Sequence, residues 1–288
     1  VADQITMYRN MVLIRRFEEG VAEAYADGFI GGFTHLYIGQ EAVATGAITA
    51  LNHDDYAIGT YRVHAHALVR GSSARSLMAE HYFLGGYGIV GGNLPIGVGV
   101  ALSMQMQNRD AVVMNFFGDG ASNQGVFHEA LNMAKLWNLP VIFVCENNFY
   151  GIGTDVRTSS SFNEIHKKAQ GYGIPGHVVN GMDVLAVREK CEELVRFARQ
   201  GGGPVLLEAR CYRYQGHSMT DAGKYRSVAE AELWRKRDPI PRLAKSMLEA
   251  GVVDAARLEA VQAEANEVVT DAMRFAEASP MPAPEALY

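Results

Sequence analysis

Asp119 and Asn148 each stand just past a short apolar run, inside Gly118, Asp119, Gly120 and Glu146, Asn147, Asn148. A carboxylate and an amide oxygen are hard ligands, suited to a magnesium ion that keeps water and phosphate oxygens as its other partners. The molecule such an ion brings is a phosphate ester. Gly120 and Ala121 are expected to open a helix here, turning their amides and the positive end of the helix dipole toward that anion. Either tripeptide alone is more often a plain turn. The stretch between them makes them two halves of one site.

Residues 111–117 and 140–145 read as short buried strands, and Asn123 to Trp137 between them as a helix. The helix travels about 22 Å and a six-residue strand about 20 Å, so the chain returns to the edge from which it left. Asp119 and Asn148 then converge at the carboxyl ends of two parallel strands. Apolar residues at helical spacing predict a helix over residues 3–27, ended by Gly28, and others over 40–51, 61–70 and 94–106. Gly97 and Gly99 in the last of these signal close helix packing, within the chain or across a subunit contact. DYAIGT near 55–60 reads as a strand. After a polar segment at 151–163, strands are expected at His177–Val179 and Val205–Cys211. Between them lies a helix capped by Asp183 and stopped by the glycines at 201–203. From Val228 onward the sequence is charged amphipathic helix with a Pro-containing tail, closing over its own sheet or wrapping a partner. The whole predicts one α/β domain over 1–288, a mostly parallel sheet flanked by helices, with its core at about 30–215 and a helical extension at about 228–288.

With 288 residues, 48% of them apolar, the chain is long enough for a large core. A formal charge of −6 excludes nucleic acid or an anionic membrane as main partner, since either requires a basic surface. An anionic ligand must therefore be neutralised locally. Opposite charges about 4 Å apart gain roughly 4 kcal/mol at a dielectric near 20, enough for one divalent ion and one arginine, Arg62, to outweigh the background. Cys145, Cys191 and Cys211 form neither a metal spacing nor a disulfide framework, which points to a reducing compartment. No apolar run reaches membrane-spanning length. The start at Val1 has no basic segment leading into an apolar one and reads as a trimmed terminus.

Two motifs mislead. Gly86, Gly88 and Gly91 match the dinucleotide fingerprint GxGxxG, but no convincing strand leads into Gly86, and Asp110 precedes a strand rather than following one. HEALN at 128–132 lacks the second histidine of a zinc protease.

The paired GDG and NN motifs, a crossover apart, resemble the magnesium and diphosphate motif of thiamine-diphosphate enzymes. FTHLYIGQEAVATGA (33–47), TYRVH (60–64), GGYGIVGGNLPIGVG (85–99), the stretch 118–154 and YRYQGHSMTDAGKYRS (212–227) are similar to the α subunits of 2-oxo acid dehydrogenases, pyruvate dehydrogenase above all. The likeness covers most of residues 5–240. It implies magnesium held by Asp119, Asn148 and the backbone carbonyl of Tyr150. It also implies a diphosphate met by Tyr61, Arg62, Gly120, Ala121 and His217, and an aminopyrimidine held by backbone groups around Gly88 and Val90. His35, His64 and His217 are the implied catalytic histidines, with His35 and His64 at the substrate end, and Ser218 matches a serine that kinases modify in mitochondrial relatives. The cofactor would add to a 2-oxo acid and release carbon dioxide, and the acyl group would pass to a lipoyl arm on a dihydrolipoyl acyltransferase core. The glutamate that engages the aminopyrimidine comes from a β subunit in two-chain members, so an α2β2 assembly, inactive as single chains, is implied. His64 and SMTDAGKYR favour pyruvate over acetoin or branched-chain 2-oxo acids, and a bacterial cytoplasmic setting is expected ahead of a mitochondrial matrix. In one place the sequence departs from the pattern. Relatives carry a Gly-rich, basic stretch with a Ser-Met-His element between the helix of Ser76–Glu80 and the segment Tyr82–Gly85, and it is missing here, by deletion or by omission of a mobile segment.

Overall fold

The computed structural model describes residues 2–80 and 87–280, so the junction around Tyr82–Gly85 and Gly86 of the GxGxxG match lie outside the described residues. In chain order the elements are α1 (Ala2–Ala26), α2 (Glu41–Ile48), β1 (Tyr56–Ile58), α3 (His64–Arg70), α4 (Ala74–Glu80), α5 (Asn93–Met106), β2 (Val113–Gly118), α6 (Gly125–Leu136) and β3 (Val141–Asn147). There follow β4 (Tyr150–Gly151), β5 (Thr154–Asp155), α7 (Val156–Ser159), β6 (Gly176–Asn180), α8 (Val184–Phe197), β7 (Val205–Arg210), α9 (Val228–Arg235), α10 (Pro239–Glu249) and α11 (Ala255–Ala278). Two 3-10 helices, Asp119–Asn123 and Ile165–Tyr172, follow the strands that carry the motifs.

Five strands form one parallel sheet in the order β1-β2-β3-β7-β6, the α/β architecture that the sequence predicts. Alternate side chains feed its two faces. Met114, Phe116, Ile142 and Val144 face a core shared with α1, α2 and α8, whereas Val113, Phe117, Val141 and Phe143 face one shared with α5 and α6. Both faces are apolar because helices cover both, which is why β2 and β3 read as continuous apolar runs.

Local chemistry sets the boundaries. Asp183 accepts the Leu185 and Ala186 amides at 3.2 Å and starts α8. Gly97 has no room for a side chain, because a Cβ there would lie 2.1 Å from the Asn115 amide nitrogen, so α5 packs directly on β2 of its own chain. The C-terminal helices close over their own chain too, α11 lying along α1 and α4.

Two expectations shift, and both shifts bear on function. The predicted helix over 61–70 begins only at His64, which leaves Tyr61 and Arg62 in the preceding loop. The helix expected from Asn123 is preceded by the 3-10 turn, breaks at an extended Gln124 (φ −78°, ψ 143°) and starts at Gly125. Lys168 Nζ takes the Ser122 carbonyl at 2.9 Å, removing an acceptor that a continuous helix would use. Gly120 and Ala121 therefore open a short 3-10 turn rather than α6, and the dipole of α6 does not begin at them.

Candidate active site

A cavity of about 530 Å³ opens where β2 and β3 end, the place where parallel sheets leave room for ligands. The turn after β2 contributes Gly118, Asp119, Gly120 and Ala121, and the turn after β3 contributes Asn148, Tyr150 and Gly151. The loop before α3 adds Tyr61 and Arg62, and the segment before α2 adds His35 and Gln40. Gly88 and Val90 form one wall, with Arg213 and His217 opposite on the chain leaving β7. The two turns touch closely: a Cβ on Gly120 would lie 3.4 Å from the Gly151 Cα.

Asp119 is 3% exposed, and burial pushes its carboxyl up to about 6 even though its own amide, the Asn148 amide and Arg213 favour the charged form. The Asn148 side-chain amide donates to Gln40 Oε1 at 2.9 Å. Its Oδ1 and the Tyr150 carbonyl both accept from one guanidinium nitrogen of buried Arg213, at 3.3 and 3.4 Å. The other terminal nitrogen of Arg213 donates to the Ile152 carbonyl at 3.2 Å and to the Tyr225 hydroxyl at 3.0 Å. Two of the three oxygens implied for the metal thus already face one positive group, beside a buried carboxylate. That donor set fits a magnesium ion completed by water and phosphate oxygens. Among the described residues, no three His, Cys, Asp or Glu gather as a metal site, and the set here is one carboxylate, one amide and one peptide carbonyl.

The opposite wall is basic and partly unsatisfied. Arg62, 6% exposed, donates to the Leu36 carbonyl and, at 2.8 Å, to the His217 carbonyl. Burial and the nearby Arg213 lower its guanidinium to about 10. His35 Nδ1 donates to the same His217 carbonyl at 2.9 Å, which leaves Nε2 as the acceptor. Desolvation and the two arginines push His217 down to about 3, and desolvation lowers His35 as well, so both imidazoles are neutral at pH 7. Tyr61 packs against both rings, at 4.4 and 5.8 Å between centroids. Gln40 Nε2 and His217 Nδ1 are buried without a protein partner, two polar atoms left for a ligand to satisfy.

Every residue singled out from the sequence for catalysis, cofactor or metal lines this cavity except His64. Expected at the substrate end, His64 is instead the first residue of α3, where its Nδ1 lies 3.2 Å from Glu18 of α1 and its ring meets Phe17. Ser218 adjoins His217, its hydroxyl 3.0 Å from that of Thr220. Among the lining residues that the sequence reasoning missed are Arg213, Gln40 and Glu146. Glu146 accepts from the Tyr37 hydroxyl and lies 3.1 Å from His66 Nε2. A signal for Arg213 was present, since a charge between Tyr212 and Tyr214 in a run following a core strand is well placed to be buried.

Comparison with known proteins points the same way. The family described as Dehydrogenase E1 component matches over residues 9–83 and 75–285. The pyruvate dehydrogenase E1 component subunit alpha of Rhizobium meliloti is 42% identical over 309 aligned positions, covering 99% of this chain and 89% of that protein. Its counterpart in Zymomonas mobilis is 42% identical, covering 99% of this chain and 87% of its own length, and that of Rickettsia bellii is 38% identical, covering 99% and 94%. An alignment of 309 positions exceeds this chain's 288 residues, so the Rhizobium protein carries residues with no counterpart here. The family match divides between residues 75 and 83, beside the junction where the sequence lacks a stretch. Among the described residues, no helix is long and apolar enough to cross a membrane.

Proposed function

The chain belongs to the dehydrogenase E1 component family, and from that premise we propose that it is the α subunit of a pyruvate dehydrogenase and holds thiamine diphosphate through magnesium. The observation carrying this reading is the meeting of Asp119, the Asn148 side-chain oxygen and the Tyr150 carbonyl in one cavity with two buried arginines. When bound, thiamine diphosphate supplies the carbon nucleophile and electron sink that decarboxylation of a 2-oxo acid needs. Asp119, Asn148 and the Tyr150 carbonyl would ligate the metal. Arg62, Arg213, Tyr61, His217 and the Gly120–Ala121 backbone would hold the diphosphate, and the backbone at Gly88 and Val90 the aminopyrimidine. A neutral His217 can donate one hydrogen bond to a phosphate oxygen or a reacting carboxylate while its other nitrogen accepts a proton. His35, its Nδ1 committed to a carbonyl, presents Nε2 to the substrate.

Glu146 and Asp119 are the carboxylates lining the cavity among the described residues. Asp119 is assigned to the metal, and Glu146 is engaged by Tyr37 and His66. As in two-chain members of the family, the carboxylate that activates the aminopyrimidine would come from a β subunit in an α2β2 assembly. A dihydrolipoyl acyltransferase core with its lipoyl domain takes the product acyl group, in a bacterial cytoplasm. The names of the relatives favour pyruvate over acetoin or branched-chain 2-oxo acids. Co-expression with a β partner, followed by assays on pyruvate, 2-oxoisovalerate and acetoin side by side, tests this. Pyruvate is expected to be preferred and the single chain to be inactive. Turnover by the purified single chain, or a preference for acetoin, would overturn it.

A further inference from the structure

The 3-10 helix Ile165–Tyr172 lies outside the cavity, yet it is linked to both of the turns that build it, directly to one and through Glu208 to the other. Ile165 and Ala169 are fully buried and anchor it in the core. Between and beside them, two polar side chains reach in different directions. The His166 amide and Nδ1 donate to Glu208 Oε2 at 3.1 and 2.7 Å, and Glu208, fully buried on β7, accepts the Asn147 side-chain amide on Oε1 at 2.8 Å. Asn147 Oδ1 in turn accepts the Phe149 amide at 3.0 Å, closing the turn that presents Asn148 and Tyr150. That turn is strained: Phe149 has φ +72° and Ile152 φ +57°, conformations that side chains seldom adopt. Two residues beyond His166, Lys168 Nζ donates to the Ser122 carbonyl at 2.9 Å, the Ser122 hydroxyl at 3.1 Å and Asn123 Oδ1 at 2.7 Å, all on the turn that begins at Asp119.

We propose that the segment Ile165–Tyr172 is a strap that fixes the spacing of the Asp119 and Asn148 turns, with His166, Glu208, Asn147 and Lys168 as positioning residues that never touch the ligand. This rests on the metal and diphosphate reading of the cavity. Each turn is short, and one is strained. Without a shared anchor each would relax independently, and the oxygens would lose the common focus that a small, geometrically demanding ion requires. Because His166 and Lys168 stand two residues apart on one short helix, loosening either contact is felt at both motifs.

The test begins without any ligand. In the assembled protein free of metal and cofactor, hydrogen exchange is followed at residues 119–123 and 147–152 for His166→Ala, Lys168→Met and the double variant. Each single variant is expected to speed exchange about tenfold in both turns. In the double variant, the effects are expected to fall short of their product, since a strap released at one end transmits little from the other. His166→Asn, which keeps a donor near the position of Nδ1, is expected to restore the native rates. Titration with magnesium at saturating thiamine diphosphate then reads the consequence: roughly tenfold weaker metal affinity in each single variant, with kcat recovered within about twofold at high magnesium. Faster exchange confined to the variant's own turn, or unchanged exchange and metal affinity beside a lowered Tm, would overturn the strap. Asp119→Ala separates this from failure of the site itself. If that variant binds magnesium normally while the strap variants still loosen both turns, the assignment of the cavity fails and the mechanical coupling stands.

Discussion

The two edges of the sheet each bury an aspartate, and they treat it in opposite ways. At the amino-terminal edge, Asp55 is 4% exposed and receives two Arg199 contacts at 2.7 and 2.8 Å, the Asn52 amide at 2.7 Å and the Val112 amide at 3.0 Å. At the carboxyl-terminal edge, Asp119 is equally buried, but what surrounds it does not offset desolvation, and its carboxyl rises to about 6. A buried charge held by three donors through four hydrogen bonds is a structural rivet. One held by fewer keeps a raised carboxyl, which marks it as a candidate for function rather than for stability. Stability and function are thus assigned to opposite ends of the same strands, as parallel sheets with loop-built sites allow.

Substitutions at the two aspartates test that contrast first. Asp119→Ala is expected to weaken magnesium-dependent binding of thiamine diphosphate by more than about 100-fold, because even outer partners of a metal ligand are worth 10- to 100-fold. Calorimetric titration measures this, and the assembled protein should keep its circular dichroism. Asp55→Ala should do the reverse. Removing the carboxylate leaves Arg199 only its Asp110 contacts and strips the Asn52 and Val112 amides of their acceptor. This is expected to destabilise the chain by roughly 3 kcal/mol in denaturant unfolding, with cofactor affinity in the surviving folded fraction unchanged. If Asp55→Ala altered affinity as strongly as stability, the division between the edges would be lost.

The contrast also explains what was legible in the sequence. Asp119 and Asn148 are adjacent to strand ends, and a strand, helix, strand unit fixes where such positions go, so the sequence predicted their meeting from lengths alone. Tyr61, Arg62, His35 and His217 required recognised motifs, because only the complete topology brings four separate loops together. The partners of Arg213 and Gln40 were hidden for another reason. Their roles are defined by what they hold, the Asn148 oxygen and the Asn148 amide, and no local pattern encodes a partner 65 or 108 residues away. His64 shows the converse: its motif context matches a functional loop, but it opens α3 with its ring beside Glu18 and Phe17, outside the cavity lining. The short hairpin of β4 and β5 was hidden in a segment that read only as polar, since two-residue strands have no periodicity to detect.

A smaller effect sharpens the account of Asp119. Its folded value near 6 lies above the ordinary aspartate value of 3.8, so the native state takes up a proton as pH falls through about 6 and the unfolded chain does so only near 3.8. The charged form therefore opposes folding above pH 6, by about 3 kcal/mol at most, from roughly two pH units at 1.4 kcal/mol each. Asp119→Asn is expected to stabilise the metal-free protein by up to that amount at pH 7. Its advantage should fade as pH falls from 6 toward 3.8. A flat difference across that range would mean that the carboxylate is better satisfied than its burial implies.

The smallest effect has the opposite sign. His217 falls from 6.5 to about 3, so the native state refuses a proton that the unfolded chain accepts below pH 6.5. Stability contributed by the neutral ring is complete above that pH and is lost as pH drops toward 3. His217 is half-buried, and solvent screening makes the real slope shallower than one full proton. His217→Gln removes the titration while keeping an amide that can hydrogen-bond. Unfolding of variant and wild type in parallel between pH 7 and 4 should therefore show the variant gaining relative stability as acid is added, where Asp119→Asn loses it. Two substitutions in one cavity with opposite pH slopes would show that burial penalises the charged form of both groups. Slopes of the same sign would show that burial does not govern one of them.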